Sequence, residues 1–368
     1  MVREGKEVGV VSGKDLLQRI ESAERRLYSK LIRLDIEALG ISEYNRRYLE
    51  ERNANLKGVL QMFGRLLYLC LNRSGIPIEN FVLTDYGGGS GGISFLAAEM
   101  GIGCVVYNDI YDVSCRDVSC ISDALGLRLD HIVCGDVDDL VSYLQKHEIM
   151  TNAVASNDVI EHIYDVKYHV KRLSCLSENK FRVVYASDAN HRNPRSLRSL
   201  KTKQIQAEYR TKERKRGHKE RDTLQPFLDV RRLMISEYAS DMDSETVEYL
   251  ARCTRGLVRR DIERCVDEYR VHGSISYRMD HSTNTCDPYT GNWCEHIMDF
   301  DWLKKIFRDS GFSVKILTGF FHADRSLFKR MVKGLLDCVI RISGGFGIFL
   351  SPYYIVYAEY LGKEVGDQ

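Results

Sequence analysis

The chain has 368 residues, 44% of them hydrophobic, enough to bury a sizeable core in one large or two modest domains. Its 53 Lys and Arg against 52 Asp and Glu leave a net charge of +1, so no global field selects nucleic acid or an anionic membrane as partner. The N-terminus lacks an apolar signal-peptide core, no apolar run reaches spanning length, and the eleven cysteines contain no Cys-x-x-Cys pair. A cytoplasmic protein with reduced, mostly buried thiols and no metal site is expected.

In chain order, residues 14 to 75 carry helical periodicity: Leu16, Leu17 and Ile20, then Leu27, Leu31 and Ile32, then Leu56, Leu60, Met62 and Leu66. Residues 1–78 are expected to form a helical extension. From Phe81 short β-rich runs alternate with helical stretches, the signature of βαβ units in a mostly parallel, doubly wound α/β sheet. The expected strands are Phe81–Thr84, Cys104–Asn108, His131–Cys134, Ala153–Ser156 and Arg182–Ala186, with crossover helices such as 92–100 and 113–125. This core spans 79–194.

Residues 195–292 break that rhythm. They are charged and mainly helical, led by Leu228, Val230, Leu233 and Met234 and then Val247, Leu250 and Ala251, and are expected to be an insertion that caps the substrate. The core resumes over 293–368 with a helix at 300–310, a strand at 313–318 and a last strand at 353–360. Between those strands, the apolar stretch from Leu335 to Tyr357 is expected to be buried in a core or a dimer contact. A membrane-surface role is the alternative.

The first strand runs into Asp85-Tyr86-Gly87-Gly88-Gly89-Ser90-Gly91-Gly92, a turn so poor in Cβ atoms that backbone can approach a nucleotide closely. Gly87, Gly89 and Gly92 also satisfy G-x-G-x-x-G, which fits a nicotinamide or flavin enzyme equally well. Asp109, ending the second strand about twenty residues on, can accept the ribose hydroxyls of either cofactor. Gly135-Asp136-Val137 after the third strand and Asn157-Asp158-Val159-Ile160-Glu161-His162 after the fourth separate these readings.

Together these positions resemble the class I S-adenosylmethionine-dependent methyltransferases, particularly the branch of ubiquinone-biosynthesis and small-molecule O-methyltransferases. The resemblance covers 80–190 and 293–360 and implies a seven-stranded Rossmann-like sheet ending in an antiparallel hairpin. It implies that Asp85, Gly87, Gly89 and Gly91 serve the amino acid part of S-adenosylmethionine, Asp109 and Ile110 the ribose side, Asp136 and Val137 the adenine, and Asn157 and Asp158 the methionine end. The acceptor is then expected to be a small hydroxylated molecule such as a sugar or glycan, methylated on oxygen.

A base for that acceptor is sought among His162, His191, His281 and His296, with His162 first because it follows two carboxylates at the carboxyl edge of the sheet. In the plainer reading Asp158 merely caps the next helix. Asp280, Asp287, Tyr289, Trp293 and Glu295 suggest one polar, aromatic pocket wall, while His281, Cys286, Cys294 and His296 lack metal-ligand spacing. The basic run at 209–222 leaves an RNA or protein acceptor as an alternative. A nicotinamide oxidoreductase, a non-catalytic cofactor-binding module and a homodimer complete the readings.

Overall fold

A computed structural model describes residues 13–213, 223–321 and 327–362. Three helices come first: α1 (Gly13–Leu31), α2 (Glu43–Ala54) and α3 (Leu56–Leu71). The alternating core follows with β1 (Val82–Tyr86), α4 (Gly92–Met100), β2 (Cys104–Asp109), α5 (Asp112–Leu125), β3 (His131–Cys134), α6 (Val137–Lys146), β4 (Ala153–Asn157), α7 (Val166–Leu173) and β5 (Arg182–Ser187). The insertion holds α8 (Pro194–Tyr209), a small ribbon of β6 (Lys212–Glu213) and β7 (Thr223–Leu224), α9 (Phe227–Tyr238), α10 (Ser244–Cys253) and α11 (Arg259–His272). The chain closes with α12 (Phe300–Asp309), β8 (Phe312–Thr318), α13 (Leu327–Ile342) and β9 (Tyr354–Tyr360).

The seven strands of the main sheet lie in the order β3-β2-β1-β4-β5-β9-β8. The first five are parallel, whereas β9 runs antiparallel between β5 and β8. Strand alternation builds two cores from one sheet. Leu83, Val105, Ala153, Val184 and Ile355 face one side, where Ile20 and Leu27 of α1 and Phe63 and Leu66 of α3 join Phe95 and Leu96 of α4. Val106, Val154, Val183 and Val356 face the other, against Leu140, Val170 and Leu303 from α6, α7 and α12. The helices before residue 78 therefore form one wall of the main core and are continuous with it. The insertion instead has its own apolar cluster of Leu228, Met234, Leu250, Ile262 and Val266.

Several sequence expectations change. Leu17, Ile32 and Leu233, counted with the apolar stripes, are exposed, because each sits next to the residue that turns inward. The apolar stretch around α13 is not buried within the described chain: Leu335, Val339, Ile342, Phe346 and Phe349 stay open, and Gly344 begins a 3₁₀ turn that ends the helix face. All eleven cysteines are free, but only Cys70, Cys115, Cys265 and Cys286 are buried, against the expectation of mostly buried thiols. No described helix is long and apolar enough to cross a membrane. Residues 214–222 of the basic run lie outside the described residues.

A buried ion pair ties the insertion together. Arg231, fully enclosed, donates from Nη2 to Glu208 Oε1 at 2.5 Å and from Nε to the Ala251 carbonyl at 2.8 Å, while Thr285 Oγ1 donates to Glu208 Oε2 at 2.7 Å. Removing one partner strands the other charge in low dielectric. Arg231→Ala is expected to cost about 3–5 kcal/mol, read as a lower urea midpoint of the insertion's unfolding.

Glu24 on α1 is pushed up to about 7, by burial first and then by the neighbouring charge of Glu21. Because the folded form holds the proton more tightly, its contribution to stability is complete below the ordinary glutamate value of 4.5 and lost as pH rises through 7. Glu24→Gln should match wild type near pH 4.5 and be more stable at pH 8 by on the order of 1 kcal/mol, discounted for partial exposure. Thermal melts at the two pH values test this.

Candidate functional site

Parallel register brings the carboxyl ends of the first five strands to one edge, pairing Tyr86 with Asn108, Asp109 with Cys134 and Asn157 with Ala186. Open α/β sheets bind ligands at this edge, where strand order reverses between β1 and β4. The glycine loop lies there, fastened by the end of β2. Gly88 N–H donates to the Asn108 carbonyl, Gly89 N–H donates to Asp109 Oδ2 at 2.9 Å, and Tyr107 O–H donates to the Gly89 carbonyl at 2.6 Å.

Two glycines are required here. Gly87 (φ 68°) leaves only 2.5 Å between a would-be Cβ and Val159 Cγ2, whereas at Gly89 (φ 54°) a Cβ would meet nothing within 4 Å. Gly89 thus presents bare backbone to open space, while Gly91 packs on Phe95 and Val118. Asp85 lies beneath the loop, buried, accepting from Ser94 N–H and Oγ–H; burial raises its carboxyl to about 6 despite those bonds. It supports the loop from below and does not line its open side.

Asp109 is buried and spans the corner, with Oδ1 accepting from Tyr111 N–H at 2.9 Å. Ile110 beside it is 62% exposed, an apolar surface of the kind a ribose or base can cover. At the end of β3, Asn108 Nδ2 donates to the Gly135 carbonyl, and Asp136 Oδ1 caps α6 by accepting from Asp138 N–H and Asp139 N–H. Val137 is buried against the sheet, so Asp136 is the exposed member of that pair.

Beyond β4, Asn157 Nδ2 donates to Asp158 Oδ2, and Asp158 takes a positive φ of 55°. It does not cap the following helix. Asp165 does, accepting from Tyr168 N–H, while 160–162 form a 3₁₀ turn. That turn buries Glu161 completely and points His162 toward the 293–296 segment, which pairs with it: Trp293 N–H donates to the His162 carbonyl and His296 N–H to the Glu161 carbonyl. Glu295, also at positive φ (57°), binds Lys203 Nζ at 2.8 Å.

The result is a carboxylate cluster of Asp158, Glu161, Asp188 and Glu295. Burial, then the Asp158 and Glu295 charges, holds Glu161 well above the usual carboxylate range. Asp188, which keeps an exposed edge, is raised to about 8 by desolvation and the same two neighbours. Asp158 is raised as well, by burial and by Glu295.

The four histidines separate. His162 alone joins the cluster; its Nδ1 lies 2.9 Å from the Trp293 carbonyl, which can only accept, so the proton is on Nδ1 and Nε2 carries the free pair. His296 is bound through Nε2 to Asp280 at 3.0 Å and stacked on Trp293 at 4.2 Å, which removes it from the open edge. His191, depressed by burial and by Arg192, shares a cavity of about 280 Å³ with His281, Asp280 and Trp302. Asp287 and Tyr289 line a separate cavity of about 500 Å³ under α9, so the expected single pocket wall is divided between two sites.

Sequence reading missed Arg52. From α2 it donates to Ser90 Oγ at 2.7 Å and lies over the rings of Tyr48 and Phe63. The start of α2 is held in turn by buried Asp117 on α5, which accepts from Ser42 and from Asn45 Nδ2. A single cation in a long amphipathic region carried no signal of this role.

Strand order and direction are those of the class I methyltransferase fold, distinct from the 3-2-1-4-5-6 order of dinucleotide-binding sheets because antiparallel β9 enters between β5 and β8. No protein-family model and no curated protein matches the chain. Among solved structures it is similar to a protein from Streptococcus mutans described as a SAM-dependent methyltransferase, at 13% identity and TM-score 0.30, over 39% of this chain and 38% of that one. It is also similar to the plantazolicin methyltransferase BpumL in complex with SAH (11% identity, TM-score 0.38, 95% of this chain and 99% of that one). A third is the magnesium protoporphyrin IX methyltransferase of Synechocystis PCC 6803 with bound SAH (11% identity, TM-score 0.37, 85% and 86%). The chain thus spans 38% of the length of the first of these and nearly all of the second.

Arg52→Ala should loosen the loop through loss of the Ser90 contact, a charge-assisted hydrogen bond of about 1 kcal/mol, read as a lower thermal midpoint. An unchanged midpoint would show that the contact does not stabilise the loop.

Proposed function

We propose that the chain is an S-adenosylmethionine-dependent methyltransferase acting on oxygen of a small hydroxylated acceptor, such as a sugar, glycan or related metabolite. The observation that carries this reading is the joint placement of three groups on one edge: the bare Gly89 backbone, the Asp109 carboxylate fastened to it, and Asn157 with Asp158 across the β1/β4 reversal. That edge offers backbone for the amino acid part of the donor, a carboxylate for its ribose, and polar groups where its methyl would lie.

Methyl transfer from a sulfonium is an in-line displacement, so the protein's work is to hold donor and nucleophile at attack distance. His162, with Nε2 unprotonated and next to the cluster, is the group best oriented to accept the acceptor's proton. Glu295, with a carboxylate oxygen within 4.8 Å of the imidazole, stabilises the imidazolium that forms. An acceptor with several hydroxyls suits the polar lining there, whereas His296 and His191 serve the packing and the neighbouring cavity.

Calorimetric titration with S-adenosylmethionine, S-adenosylhomocysteine and NADH tests the cofactor class. Saturable binding of the first two is expected, weakened ~10- to 100-fold in Asp109→Ala as charge-assisted ribose contacts are lost, with no NADH binding. Binding of NADH alone would overturn the reading.

A further inference from the structure

We propose that Cys115 and Cys134 are a redox pair, closed into a disulfide by a low-molecular-weight disulfide such as oxidised glutathione, and that closure slackens the Asp109 corner beneath the glycine loop. Cys134 ends β3 directly opposite Asp109 in the parallel register of β2 and β3. Cys115, one turn into α5, sets its sulfur against the same backbone. Its S–H donates to the Asp109 carbonyl at 3.4 Å, and the sulfur lies 3.9 Å from the carbonyl of Val133, the residue before Cys134. Strand alternation turns Cys134 toward that helix: Val133 packs into the core on the far face of the sheet, whereas Ile132, two residues before Cys134, packs on the face that α5 covers. The two thiols are hydrogen-bonding neighbours, and burial first, then Cys134, pushes the Cys115 thiol above its ordinary range.

Exposure divides the roles. Cys134 is exposed, whereas Cys115 is buried in the main core. The Cys134 thiolate attacks one sulfur of glutathione disulfide, forming a mixed disulfide and releasing one glutathione thiolate, which takes up a proton. Cys115 then gives its proton to water, and its sulfur attacks Cys134 Sγ and expels the second glutathione. The pair loses two electrons and two protons, and glutathione disulfide gains them as two thiols. Because burial disfavours the Cys115 thiolate, the second step is the slower one.

The Asp109 carbonyl accepts from Cys115 S–H and from Gly135 N–H, while its carboxylate holds Gly89 N–H and Tyr111 N–H. A disulfide has no S–H to give, and an S–S bond of about 2.05 Å draws the start of α5, next to Tyr111, toward β3. Both changes act on the corner that fastens the glycine loop. Their effect on a bound donor rests on the methyltransferase reading; the disulfide itself does not.

The test incubates the reduced full chain, freed of reductant, with oxidised glutathione, followed by alkylation in denaturant and peptide mass spectrometry. A Cys115–Cys134 crosslink is expected, absent in Cys134→Ser, while Cys115→Ser is expected to stop at the glutathione adduct of Cys134. On closure, amide hydrogen exchange should quicken in the peptides carrying Gly89 and Tyr111, and S-adenosylhomocysteine affinity should fall ~5-fold, the equivalent of one hydrogen bond, with dithiothreitol reversing both. A wild-type chain that keeps the adduct on Cys134 with Cys115 still alkylated overturns the pair, and unchanged exchange on closure overturns its hold on the Asp109 corner. A crosslinked chain whose exchange responds but which binds no S-adenosylhomocysteine in either state would sustain the pair and overturn the methyltransferase reading.

Discussion

The arrangement of the functional edge depends on the Asp109 carboxylate. One oxygen holds Gly89 N–H and the other Tyr111 N–H, so the glycine loop and the corner after β2 are drawn to a single side chain. Tyr107 completes the fastening from the strand's own register. Because β2 is adjacent to β1 in a parallel pair, the loop cannot shift without breaking these bonds, and the open backbone at Gly89 remains directed at the place where strand order reverses. A ligand's ribose would meet a carboxylate that is already positioned.

Around that fixed centre, distant parts of the chain supply the walls. The N-terminal helices form one wall of the main core and reach over the loop through Arg52, with Asp117 anchoring the start of α2. From the far side, the segment after α11 crosses back to pair with 161–162, and this pairing carries Glu295 to Glu161 and His162. The insertion is held rigid for this purpose by the enclosed Arg231–Glu208 pair and by Gln204, which donates to the Glu295 carbonyl. The acidic cluster is thus built by elements that surround the sheet, not by the sheet alone.

Much of the core was legible because strand and helix periods differ and glycine marks the turns. The five parallel strands and the final two stand within a residue or two of where alternation and β-branched runs indicated. Errors occurred where one-dimensional pattern cannot resolve direction. Leu17 and Ile32 adjoin buried neighbours and turn outward by one helical step, and the apolar face of α13, expected in a core or a dimer contact, is not covered by the described chain. Asp158 read equally well as a helix cap, yet a 3₁₀ turn intervenes and Asp165 performs the capping.

The sequence by itself determined the α/β class, the glycine loop, Asp109 and the positions of His162 and Asp158, since these follow from local periodicity and from spacing along successive strands. Only the tertiary structure decided which histidine joins the acidic cluster, that Arg52 reaches the loop, and that Glu161 is buried without a donor. Each of these depends on contacts between segments far apart in the chain, such as Trp293 with His162 across 131 residues. Burial and hydrogen-bond satisfaction are properties of the whole packing and leave no periodic trace in the residues that experience them.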